Sequence, residues 1–108
     1  MAESDDIVLA LVSHILNRQG YLVDVAGTAA EAESRLAAHM PDAALLDVKL
    51  PGGGADWMRR CIPDGERRLI ILTSGPFEYD VPAAAILRKP IEFGVLVEAV
   101  AACVKSMD

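Results

Sequence analysis

Residues 43–47 read Ala-Ala-Leu-Leu-Asp and run straight into Val48-Lys49-Leu50-Pro51-Gly52. A short aliphatic run with no polar alternation suits a strand buried on both faces, the condition of a parallel sheet covered by helices. Pro51 and Gly52 mark a tight loop directly behind it, so the strand delivers one carboxylate, Asp47, to that loop. Two further runs repeat the arrangement: Leu69-Ile70-Ile71-Leu72-Thr73-Ser74 ends in a hydroxyl, and Ile86-Leu87-Arg88-Lys89-Pro90 ends in Lys-Pro. The carboxyl ends of strands in an open α/β sheet share one edge, and ligands bind there. A carboxylate, a hydroxyl and an ammonium are thereby expected at one place.

Helical patterns separate these runs. Val8, Leu11, Val12, Ile15 and Leu16 follow the spacing of one helix face, with Ser13, His14, Asn17 and Arg18 on the other and Gly20 as the stop. Tyr21 to Ala26 is expected to form a short strand. Thr28-Ala29-Ala30-Glu31 reads as a capping box opening a second helix to about Ala38. A short helix is expected around Asp56 to Cys61, with a turn at Pro63-Asp64-Gly65. The last helix shows Phe93, Leu96, Val97, Val100, Ala101 and Val104 on one face and a second, weaker stripe at Val95, Ala99, Ala102 and Met107. Strands alternating with helices predict a parallel sheet with helices on both faces.

At 108 residues the chain is one domain, and 53% hydrophobic residues with only 5% aromatic require an aliphatic core. A net charge of −6 argues against a direct nucleic-acid surface, which needs a basic patch. Cys61 and Cys103 are isolated, with no metal or redox spacing, and suit a reducing compartment. No apolar run approaches a membrane span, and the N-terminus is acidic rather than signal-like. A cytoplasmic protein is expected. Gly52-Gly53-Gly54 lacks the spacing and lysine of a phosphate loop, and His14 and His39 have no clustered ligands.

Taken singly, a strand-end Asp, Thr or Lys says little; their order and context are specific. The ordered set of Asp47 with its Val-Lys-Leu-Pro-Gly loop, Thr73, Lys89-Pro90 and the amphipathic last helix resembles the CheY-like receiver domain of two-component response regulators, over nearly all of residues 1–108. The resemblance implies a flavodoxin-like doubly wound parallel sheet. It also implies a non-enzymatic signalling role: a phosphoryl group is taken from a histidine kinase or phosphotransfer protein onto Asp47, and the signal passes to a downstream protein. Thr73 would bind a phosphoryl oxygen, Lys89 would pair with the group as a compact cation, and Pro90 would follow a cis peptide bond. Mg²⁺ would be held by Asp47, the Lys49 backbone carbonyl and Glu3, with Asp5 as a further candidate.

The chain departs from that pattern in two places. Counting back from Gly20, the acidic pair that ends the first strand of a receiver falls on Glu3 and Ser4, with only Met1 and Ala2 before it. The central strand is therefore expected to be truncated or absent, and metal binding to be weak. The stretch from Thr73 to Lys89 carries Gly75, Pro76 and Pro82, so its helix is expected to be short, distorted or missing. Ile86 stands where many receivers carry a switching aromatic. The rival reading is a pseudo-receiver, a protein-binding or dimerisation module independent of phosphate. A sheet without its central strand leaves unpaired edges, which predicts a homodimer by edge pairing or segment exchange.

Overall fold

The computed structural model describes residue 1 and residues 6–75 and 80–105. Ala2, Glu3, Ser4, Asp5, Pro76 and Met107, named above, lie outside them. Helices α1 (Asp6–Arg18), α2 (Ala29–Ala38), α3 (Ala55–Cys61), α4 (Gly65–Arg68) and α5 (Phe93–Lys105) surround strands β1 (Ala44–Asp47), β2 (Leu69–Thr73) and β3 (Ala85–Arg88). The sheet among the described residues is parallel, in the order β1-β2-β3.

Every residue of β1 and β2 is buried, as their unbroken aliphatic runs require. Side chains alternate between two cores. Ala44, Leu46, Leu69 and Ile71 face Ala29 and Ala32 of α2 with Trp57 and Met58 of α3; Leu45, Ile70, Leu72 and Leu87 face Val12 and Leu16 of α1 with Leu96, Val100 and Cys103 of α5. Helices therefore cover both faces, which is the doubly wound α/β architecture expected. Trp57 keeps its indole N–H satisfied inside this layer by donating to Glu33 Oε1 at 2.6 Å.

The helix ends follow local chemistry. Gly20 sits at φ 92° behind α1. Its N–H bonds the Asn17 carbonyl while that of Tyr21 reaches Leu16, the paired bonds of a Schellman stop. Thr28 caps α2 by accepting the Glu31 N–H at 3.2 Å, and the Glu31 carboxylate returns to the Gly27 N–H at 3.3 Å, one residue earlier than a standard capping box.

Four expectations are corrected. Residues 21–26 form no strand of the sheet, apart from a bridge at Ala26, because among the described residues no strand lies between them and β1. Gly65, expected in a turn, begins the single-turn α4. Leu11 is 46% exposed, so α1 buries a narrower stripe centred on Val12 and Leu16. The buried face of α5 is Leu96, Val100 and Cys103, with Phe93 and Ala101 outside it: the sheet selects the stripe that meets Ile70 and Leu72. The described residues between Thr73 and Ala85 contain no helix, as their Gly and Pro content foretold.

β2 is the load common to both cores, and the tight approach of α4 to residue 82 is its neighbour. Ile71→Ala is expected to cost about 2–5 kcal/mol in urea unfolding. Gly65→Ala, whose added Cβ would stand 2.1 Å from the Pro82 carbonyl oxygen, is expected to cost about 1–3 kcal/mol by overpacking.

Candidate functional site

Parallel register brings the three strand ends level. Asp47 pairs with Leu72, Thr73 pairs with Arg88, and the Lys89 N–H continues the ladder to the Thr73 carbonyl at 2.7 Å. The sheet edge at the carboxyl ends of β1, β2 and β3 therefore carries Asp47, Thr73 and Lys89 together, although 42 residues separate Asp47 from Lys89 in the chain.

Asp47 is 2% exposed. A carboxylate that far from water needs compensating donors. Its Oδ1 accepts the Lys49 backbone N–H at 2.7 Å, and its Oδ2 accepts the Lys89 ammonium. The Lys89 side chain is 25% exposed, so one end of the pair remains in reach of solvent. The Lys89–Pro90 peptide bond is cis, as expected from the resemblance. The loop behind β1 is held in shape by Leu50 N–H to the Asp47 carbonyl at 3.1 Å and Gly53 N–H to the Leu50 carbonyl at 2.8 Å. Ala29 N–H, bonding the Pro51 carbonyl at 2.9 Å, ties that loop to the start of α2.

Thr73 is buried at the end of β2, and its hydroxyl donates to the Gly75 carbonyl at 2.9 Å while accepting the Gly75 N–H. The hydroxyl thus braces the following loop. Lys49 lies on the exposed side of the β1 loop. Ile86 is 51% exposed on β3, an edge strand of this sheet.

Asp47 is a hard-oxygen donor of the kind Mg²⁺ takes, and an ion that keeps several waters needs only one or two carboxylates. The donor chemistry of Asp47 and the neighbouring Lys49 carbonyl suits such an ion; Glu3 and Asp5 lie outside the described residues. No group of three His, Cys, Asp or Glu side chains gathers for a metal among the described residues. Burial pushes the Cys103 thiol up, and burial with the nearby Glu33 carboxylate does the same for Cys61 against the opposing pull of Arg60, so neither is poised as a nucleophile.

The edge expected beside β1 is bordered by a cavity whose lining no local pattern marks. Residues 21–26 and β1 flank an apolar slot of about 720 Å³ whose lining includes Met1, Leu16, Leu36, Leu45, Val100 and Val104.

Comparison with protein families and with curated proteins finds no match. Solved structures do match in shape. The chain is similar to a CheY-like response regulator receiver domain protein from Methanospirillum hungatei JF-1, with 23% identity, a TM-score of 0.86, and coverage of 97% of this chain and 90% of that one. It is also similar to the receiver domain of a Francisella response regulator, with 17% identity, a TM-score of 0.87, and 99% and 95% coverage. A third match is the signal receiver domain of an HD domain-containing protein from Pseudomonas fluorescens Pf-5, with 20% identity, a TM-score of 0.86, and 97% and 91% coverage. The chain has the fold of response regulator receiver domains.

The Asp47–Lys89 pair makes an asymmetric prediction. Lys89→Met leaves a buried carboxylate short of a donor and is expected to cost about 1–3 kcal/mol at pH 7. Asp47→Asn leaves a cation that solvent still reaches and should cost under half of that. Urea midpoints of the two variants and of the double variant measure the coupling.

Proposed function

We propose that this chain is the phosphoacceptor receiver of a two-component phosphorelay, acting by being modified rather than by turning over a substrate. The observation that carries the reading is the buried Asp47 carboxylate at a strand end, met by the Lys89 ammonium from another strand. A carboxylate oxygen of Asp47 attacks the phosphorus of a phosphohistidine on a histidine kinase or phosphotransfer protein. The O–P bond forms as the P–N bond breaks, and the imidazole leaves with the electron pair. Lys89 then exchanges its carboxylate partner for a phosphoryl oxygen. The Thr73 hydroxyl, held by Gly75 in the unmodified chain, turns to donate to a second phosphoryl oxygen and frees the loop behind β2. Mg²⁺, held by Asp47 and the Lys49 carbonyl with Glu3 and Asp5 as further ligands, would neutralise charge on the transferring group.

The described residues between β2 and β3 include no helix. The loop beyond Thr73 and the exposed Ile86 on β3 are the features left to report the modification to a downstream protein. Net charge of −6 disfavours direct nucleic-acid output. No helix among the described residues is long and apolar enough to cross a membrane, and the cytoplasm, where the kinases of such relays deliver phosphoryl groups, is the proposed location.

Incubation with acetyl phosphate and Mg²⁺, read by intact mass, is expected to add one phosphoryl group to the wild type and none to Asp47→Asn. Lys89→Met should be modified at least tenfold more slowly. A folded wild type that gains no mass, or a mutant that gains it equally, overturns the assignment.

We also infer a homodimer, because among the described residues no strand lies beside β1 on the side away from β2. A second copy can reach that edge only with a segment released from its own fold, so segment exchange is the expected route. Light scattering over a dilution series should show dimer mass falling to monomer as concentration drops. Monomer mass throughout, with cooperative unfolding, refutes self-association.

A further inference from the structure

The loop behind β1 has little with which to hold its own shape. Residues 52–54 are three successive glycines and supply no side chain to pack. Gly54, at φ 136°, caps α3 without a side-chain hydrogen bond. The start of α3 is therefore fixed by contacts with the rest of the molecule rather than by a local cap. Ala29 of α2 gives its N–H to the Pro51 carbonyl at 2.9 Å. Trp57 of α3 closes the other side: a Cβ added at Gly53 would stand 3.3 Å from its Cε3 atom, and Leu50 is buried in the same core. The loop is clamped between the first residue of α2 and one indole.

Glu33 sets the indole in turn. Trp57 is buried, and its Nε1–H reaches Glu33 Oε1 at 2.6 Å across 24 residues of chain. A carboxylate acceptor makes this a stronger bond than a neutral one, and without it a buried indole N–H would lose its partner. Glu33 is exposed, so the packing of α2 does not itself require a glutamate there. It lies one helical turn after Ala29, so one side of α2 carries both grips on the loop. The loop in its turn holds Asp47. Asp47 Oδ1 accepts the Lys49 N–H at 2.7 Å, and the Asp47 carbonyl accepts the Leu50 N–H at 3.1 Å. Displacing those two amides turns the carboxylate from the line on which phosphorus must approach. A misplacement of about 1 Å can cost on the order of a hundredfold in rate.

We infer that Glu33 is a positioning residue for phosphoryl transfer: by holding the Trp57 indole it fixes the loop behind β1, and with it the direction of the Asp47 carboxylate. This role rests on the phosphoacceptor reading proposed above and extends the site to the outer face of α2. Glu33 acts through Trp57 and the loop, so its effect falls on the rate of transfer and not on the affinity for the donor.

The test compares the 108-residue wild type with Glu33→Ala, Glu33→Gln and Trp57→Phe, each checked for native circular dichroism. Trp57 is the only tryptophan, so a single indole N–H signal in NMR reports the bond. Exchange of that proton and of the Lys49 and Gly53 amides should quicken about tenfold in Glu33→Ala, through easier local opening. Glu33→Gln keeps an acceptor oxygen and should exchange as the wild type does. With acetyl phosphate and Mg²⁺, Glu33→Ala should lower the maximal rate of mass gain about fivefold or more, at an unchanged half-saturating donor concentration. Trp57→Phe should be slowed alike and the double variant no further, while Glu33→Gln returns to within about twofold of the wild type. Ser34→Ala, at the next and equally exposed position of α2, should leave every reading unchanged. A folded wild type that gains no phosphoryl group fails the phosphoacceptor reading and takes this role with it. With the wild type modified, an equal rate in Glu33→Ala, unmoved exchange at Lys49 and Gly53, or a loss in Glu33→Gln as large as in Glu33→Ala overturns this inference alone.

Discussion

The pair of parallel ladders made by β2 is the constraint on which the rest depends. β2 hydrogen-bonds β1 on one side and β3 on the other, and it sends Leu69 and Ile71 to one core and Ile70 and Leu72 to the other. Four of its five residues are fully buried and the fifth, Thr73, is nearly so. Loss of its packing would loosen both helix layers at once. Because the register of a parallel pair is fixed by which side chains face which core, the same burial that stabilises the sheet also sets Asp47, Thr73 and Lys89 at a common height.

Burial then gives that edge its chemistry. A carboxylate at the end of a buried strand is costly without donors, and the Lys49 N–H and the Lys89 ammonium supply them. Lys89 retains access to solvent, so the cation of the pair stays at the surface while its carboxylate partner is buried. On the proposed function, the Thr73 hydroxyl, committed to the Gly75 carbonyl in the unmodified chain, trades that bond for one to a phosphoryl oxygen. The trade links a change of charge at Asp47 to the shape of the loop after β2.

The opposite side of β1 follows the same physics with a different outcome. Backbone polar groups at a sheet edge must find partners. Beside residues 21–26, Met1 donates to the Asp24 carbonyl and accepts the Ala26 N–H.

The local pattern of residues determined a good deal alone. Unbroken aliphatic runs marked β1 and β2, the capping residues of α2 and the Gly20 stop marked helix ends, and Asp47, Thr73 and Lys89 were legible because each closes a strand. These signals are local, so they survive without knowledge of neighbours. The tertiary structure decided what depends on partners. Residues 21–26 carry the apolar character of a strand, yet stay outside the sheet because strand identity requires an adjacent ladder. Phe93 and Ala101 fit the helical period of α5, yet lie outside its buried face because the sheet chose Leu96, Val100 and Cys103. The contact between Asp47 and Lys89, the bond that holds the Thr73 hydroxyl and the slot beside β1 likewise depend on how distant segments are set against each other. Period and propensity act within a few residues of chain, whereas ladders, ion pairs and cavities are made between segments that only the completed fold brings together.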